Sequence, residues 1–191
     1  KGLVSSTFSY LNIFNYFNAA KDKKIIIVGL DGAGKTTIFQ NLSPSAKPAG
    51  TPPQETLPTI GCDVQKCKIN KIQFEIWDLG GQTTFRKYWS CYYDMVDAVV
   101  FVVDSVDKDR ISIVRDEYLS ILSEQKLSNA IILVLANKMD IPESMELSEI
   151  NNILELPSTK HTYSIFATNA LTMSGVSEAF EWLSIELKKK D

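Results

Sequence analysis

Three stretches of the chain are apolar without interruption: KIIIVG from Lys24, DAVVFVVD from Asp97 and AIILVLAN from Ala130. A short continuous apolar run bounded by turn residues fits a strand buried on both faces. CDVQKCKIN and KIQFEIWD predict two further strands with a tight turn at Asn70-Lys71, and YSIFAT predicts a last one. Between them, AGKTTIFQNL, RDEYLSILSEQ, SEINNILEL and GVSEAFEWLSIELKKK read as helices, with Ser148 as the expected N-cap of the third. The stretch SPSAKPAGTPPQETLPT holds five prolines and must be loop. Strands alternating with helices imply an α/β fold, a six-stranded, mostly parallel sheet flanked by helices.

The first twenty residues follow a different pattern. On a helical wheel Leu3, Val4, Phe8, Tyr10, Leu11, Phe14 and Phe17 share one broad face, with Ser5, Ser9 and Asn12 opposite. Residues 1–20 are therefore set apart as an amphipathic arm and residues 21–191 as one domain. From the pattern alone the arm is either an extra core helix or a membrane-binding segment. It is not a secretory signal, because Ser and Asn interrupt its apolar residues.

Composition narrows the function. A net charge of −3 and a pI near 5.3 argue against a general nucleic-acid binder. Three cysteines without a CxxC pair fit a reducing compartment, and a single histidine argues against zinc sites and His-dependent triads.

The chemistry lies in three motifs, each at a strand end. GLDGAGKTT, from Gly29 to Thr37, completes G-x-x-x-x-G-K-[ST] between a strand and a helix. Backbone N–H groups of Asp31, Gly32, Ala33 and Gly34 would cradle phosphates. Lys35 would reach the β- and γ-phosphates, the Thr36 hydroxyl would ligate Mg²⁺, and Thr37 follows in the helix's first turn. WDLGGQ supplies Asp78 to hold Mg²⁺ through water, Gly81 for the γ-phosphate and Gln82 to orient the attacking water; Thr59 is the expected second protein ligand of the metal. In NKMD, the Asp140 carboxylate can accept two hydrogen bonds from guanine that adenine cannot offer. The Lys138 stem would lie along the base, and Asn137 would brace the phosphate loop. Neither Arg86 nor Arg110 reads as an arginine finger, so hydrolysis should be slow without an activating protein.

GLDGAGKTT, PTIG, WDLGGQ, NKMD and the final EWL helix together resemble the ADP-ribosylation factor (Arf) family of small GTPases, and within it a Golgi Arf-like branch. The resemblance covers almost the whole chain. It implies a Ras-like fold, a GTP/GDP cycle with Mg²⁺, a guanine nucleotide exchange factor, a GTPase-activating protein and Golgi effectors such as coiled-coil tethers. It also implies a cytoplasmic protein that cycles onto Golgi membrane through its N-terminal helix. Aligned back from the last helix, Ala170 takes the place whose N–H meets guanine O6, and Ala167-Thr168 is a decoy. Trp77 and Tyr92 match an exposed effector-binding triad whose third member, a Phe in relatives, is Cys62 here. Were Met to precede Gly2, GLVSS would fit an N-myristoylation signal with Gly2 acylated. Two rivals stay open on the residues alone: a P-loop nucleotide phosphotransferase, and a GTP-binding module without turnover.

Overall fold

The computed structural model describes residues 22–43 and 57–190. The arm with Gly2 and most of the proline-rich loop lie outside the described residues.

The strands form where the apolar runs place them: β1 Lys23–Val28, β2 Cys62–Ile69, β3 Ile72–Leu79, β4 Ala98–Asp104, β5 Ile131–Asn137 and β6 Tyr163–Thr168. They make one six-stranded sheet in the order β2-β3-β1-β4-β5-β6. Only the β2–β3 pair is antiparallel. Its turn has Asn70 at φ 49° and Lys71 at φ 69°, and two successive positive φ values match the right-handed twist of a hairpin. The helices are α1 Lys35–Asn41, α2 Thr83–Arg86, α3 Ile111–Ser123, α4 Leu147–Ile153 and α5 Val176–Lys188.

Alternation along β1 shows why the central strands are apolar throughout. Ile25 and Ile27 pack into the layer formed with α1 and α5, beside Ile38, Phe180 and Leu183. Ile26 and Val28 pack into the opposite layer with Val114 and Tyr118 of α3 and Ile150 of α4. All four β1 residues are fully buried, and each such side chain contributes roughly 1.5–3 kcal/mol. The two layers are keyed by edge-on ring pairs, Phe74 with Phe180 on one side and Phe101 with Tyr118 on the other.

Two helix starts differ from expectation. Helix α3 begins at Ile111 rather than near Arg115, because the Asp107 carboxylate accepts the Arg110 N–H and fixes the entry turn. Helix α4 begins at Leu147, so Ser148 sits inside its first turn and Glu146 takes the cap position without a side-chain bond. The chain is tethered just before that point by the Met145 N–H, which donates to the Ser105 carbonyl at 2.8 Å.

Parallel strands bring their C-terminal ends to one edge. Asp104, Asn137 and Thr168 lie in register across β4, β5 and β6, and Asp78 stands beside Ile27 near the end of β1. This edge is where open α/β sheets bind ligands.

Candidate functional site

The loop from Gly29 to Gly34 leaves β1 and turns into α1. Gly34, with φ 98°, forms the N-cap. A Cβ there would lie 2.3 Å from Asn137 Nδ2, so the close approach of β5 requires glycine. Lys35 follows, 6% exposed, with Nζ donating to the Leu30 carbonyl at 2.9 Å. Burial pushes its pKa down to about 8, opposed by the carboxylates of Asp78 and Asp31. A lysine folded back over its own loop, among main-chain donors, is arranged to meet phosphate oxygens.

Thr36 and Thr59 come from opposite sides of the cleft. Their hydroxyl oxygens are 3.0 Å apart, and both donate to Oδ2 of Asp78, at 2.7 and 3.2 Å. Asp78 is fully buried, and its Oδ1 has no partner. Burial raises its pKa, with the two threonine hydrogen bonds and Lys35 acting the other way. A carboxylate desolvated in this way is stabilised by a cation. Two hydroxyls and a carboxylate are hard oxygen donors, the set that suits Mg²⁺. The residues therefore fit the metal that the motif implies.

Gly81 closes the cleft over the phosphate loop. Its carbonyl accepts the Asp31 N–H at 3.2 Å. A Cβ at Gly81 would lie 2.4 Å from Lys35 Nζ and 2.5 Å from the Gly29 carbonyl oxygen, so no side chain fits. Gln82 comes next, half-buried, as the N-cap of α2. Gly80 and Gly81 lead into this helix rather than into a hairpin turn.

The other half of the site is built around Asn137, 2% exposed at the end of β5. Its Nδ2 donates to the Ala33 carbonyl at 2.8 Å, and its Oδ1 accepts the Ala170 N–H at 2.9 Å. The bracing expected of Asn137 is thus present, and it extends to the loop after β6. Ala170 is buried beside it, whereas Ala167 is exposed within β6. The Ala170 N–H is given to Asn137, so a contact with guanine O6 would share that donor. Lys138 adopts φ 66°, a left-handed conformation that costs a non-glycine residue energy, and its ammonium pairs with Asp104. Asp140 is exposed at the mouth, and Thr37 is half-buried in α1.

The contact of Arg110 with Asp31 escaped the sequence reading. The Arg110 guanidinium donates to the Asp31 carboxylate and main-chain carbonyl, both at 3.1 Å, and to Asp107 at 2.6 Å. Asp31 and Arg110 are 79 residues apart, and no spacing signals the pair.

The rings of Trp77 and Tyr92 are paired, with centroids 5.8 Å apart. The Lys24 ammonium sits 4.9 Å from the Trp77 ring centre and also donates to the Tyr92 carbonyl. Cys62 packs onto the same part of the core, and its thiol beside the Tyr92 hydroxyl raises the Tyr92 pKa.

Comparison with known proteins agrees with this geometry. The model of the ADP-ribosylation factor family matches residues 10–187. The chain is 42% identical over 181 residues to ADP-ribosylation factor-like protein 1 of Drosophila melanogaster, covering 94% of this chain and 97% of that one. It is 41% identical to human ADP-ribosylation factor-like protein 5A, covering 94% and 97%. Among solved structures it resembles the Arl6 BBS3 small GTPase of Trypanosoma brucei with bound GppNp. That match has a TM-score of 0.79 and 32% identity, covering 90% of this chain and all of that one. Strand order, phosphate loop and family match lead to one conclusion: this chain belongs to the ADP-ribosylation factor family and is a GTP-binding small GTPase.

Proposed function

We propose that this GTPase is a Mg²⁺-dependent switch between GDP and GTP states that recruits effectors to Golgi membranes in vesicle traffic. The observation that carries the switch is the convergence of Thr36 and Thr59 on Asp78. Thr36 belongs to the helix behind the phosphate loop, and Thr59 to the segment that leads into β2. Ligands drawn from both make the position of that segment answer to the nucleotide.

Thr36 and Thr59 would hold Mg²⁺ directly and Asp78 through water; the metal would neutralise phosphate charge. Lys35 adds positive charge at the β- and γ-phosphates, and Asp140 selects guanine. Gln82 orients the water that attacks the γ-phosphate. No arginine completes the set, since Arg86 is bound to Glu117, Arg110 to Asp31 and Asp107, and Arg115 to Glu155. An arginine finger is worth about 10³–10⁵ in rate, so turnover depends on a GTPase-activating protein, and loading on an exchange factor. Trp77 and Tyr92 with Cys62 form the effector surface, for coiled-coil tethers by family resemblance. The amphipathic arm supplies membrane attachment, joined by an acyl chain on Gly2 where Met precedes it, since one acyl chain alone anchors only marginally. On this reading the protein is cytoplasmic when GDP-bound and cycles onto Golgi membrane when GTP-bound.

Two measurements test this reading. Chelating Mg²⁺ should speed release of a fluorescent GDP from the intact chain, and Thr36→Ala should make release insensitive to chelation. Release by the intact chain that ignores chelation contradicts the metal assignment. The full chain should sediment with anionic liposomes when loaded with a GTP analogue and stay in solution with GDP. Equal sedimentation contradicts the membrane switch.

A further inference from the structure

We infer that Arg86 and Glu117 are a positioning pair that orients Gln82, so that α3 governs the rate of GTP hydrolysis. The inference rests on the role given to Gln82 above. Gln82 caps α2, a helix of only four residues, and one turn does not hold itself together in water. The Gln82 carbonyl accepts the N–H groups of Phe85 at 2.9 Å and Arg86 at 3.1 Å. The Arg86 guanidinium in turn donates to Glu117 on α3 at 2.5 Å and to Thr83 Oγ1 at 2.6 Å. On the other side of Gln82, the Trp89 indole N–H donates to the Gly80 carbonyl at 2.9 Å. The residues flanking Gln82 are thus held by side chains of one short segment, and Arg86–Glu117 ties that segment to a long helix.

The Arg86 side chain is 10% exposed and that of Glu117 28%, so water screens the pair little. Beside it lies a cavity of about 310 Å³ lined by Trp89, Tyr93, Ile121 and Glu124 as well as the pair itself. Trp89 and Tyr93 anchor the far end of the segment in the core, and at this opening the charged contact is what ties α2 to α3. The Arg86 Nε is buried without a partner, which leaves Nη1 and Nη2 as the anchoring atoms. A misplacement of about 1 Å at a reacting group can cost roughly 100-fold in rate. The side-chain hydrogen bonds of Arg86 go to Glu117 and Thr83 and not to the phosphate loop, so the pair acts through the Gln82 main chain.

The test uses the full chain loaded with γ-labelled GTP and an Arf-directed GTPase-activating domain. Glu117→Gln should lower the single-turnover rate at saturating activator by roughly 10- to 100-fold. The activator concentration giving half the maximal rate, and the release of fluorescent GDP, should stay as in the unaltered chain. Glu117→Asp, which keeps the charge, should recover part of the rate. Arg86→Lys repeats the measurement if Glu117→Gln does not retain GDP; failure of both to retain it shows a structural pair and overturns the inference. An unchanged saturating rate, or a loss explained by weaker activator binding, also overturns it. If Gln82→Leu itself hydrolyses GTP at the stimulated rate, the role of Gln82 fails first. If Gln82→Leu is inactive and Glu117→Gln is normal, only the inference about α3 fails.

Discussion

Replacing Asn137 by alanine removes a side chain that joins the phosphate loop to the loop after β6. The Ala33 carbonyl loses a donor at 2.8 Å and the Ala170 N–H loses an acceptor at 2.9 Å. Both residues are nearly inaccessible, with Ala33 1% and Ala170 5% exposed. A buried polar group left without its partner costs about 1–3 kcal/mol, so the two together cost about 2–6 kcal/mol. The Thr168 hydroxyl, at 3.4 Å from Oδ1, adds little. Part of the loss should appear as weaker nucleotide retention, since every 1.4 kcal/mol is about tenfold in an equilibrium constant. Urea unfolding of the GDP-loaded chain measures the first quantity, and release of fluorescent GDP the second. A loss under about 0.5 kcal/mol with unchanged release would refute the reasoning, because a surface substitution does no more than that.

Gln82→Leu should leave affinity for a GTP analogue nearly unchanged and abolish activator-stimulated hydrolysis, read by phosphate release. Asp140→Asn should weaken GDP binding and favour xanthosine diphosphate, whose carbonyl replaces the guanine 2-amino donor; competition against fluorescent GDP reads the change. Burial pushes the Cys67 thiol up to about 11, whereas Cys91 is exposed. At pH 8 about a thousandth of Cys67 is thiolate, so a thiol reagent should label Cys91 quickly in the native protein and Cys67 only after unfolding, as mass spectrometry of the peptides would show.

The sheet was legible because its central strands are buried on both faces, and that burial writes itself into the sequence as unbroken Ile, Val and Leu. The meeting of Thr36, Thr59 and Asp78 was legible because each belongs to a short motif of fixed order. Helix starts were not. Ser148 has the chemistry of an N-cap, yet the tether from Met145 to Ser105 sets where α4 begins. Equally hidden were Arg110 on Asp31 and Arg86 on Glu117, which are 79 and 31 residues apart. Such pairs carry no period or spacing, because only the folded sheet brings their elements together. Asn137 stands between the two cases: NKMD marked it as a brace, but its bond to Ala170 appears only once β5 and β6 are paired.

The central claim is that this cleft takes guanine nucleotides and hydrolyses GTP, and nucleotide competition tests its selectivity most directly. The full chain would be loaded with fluorescent GDP in Mg²⁺, and GTP, GDP, ATP and ADP compared as competitors. A site built to pair with guanine's donors should prefer GTP and GDP by roughly 10⁴-fold or more. Displacement by ATP at concentrations comparable to GTP would contradict the account.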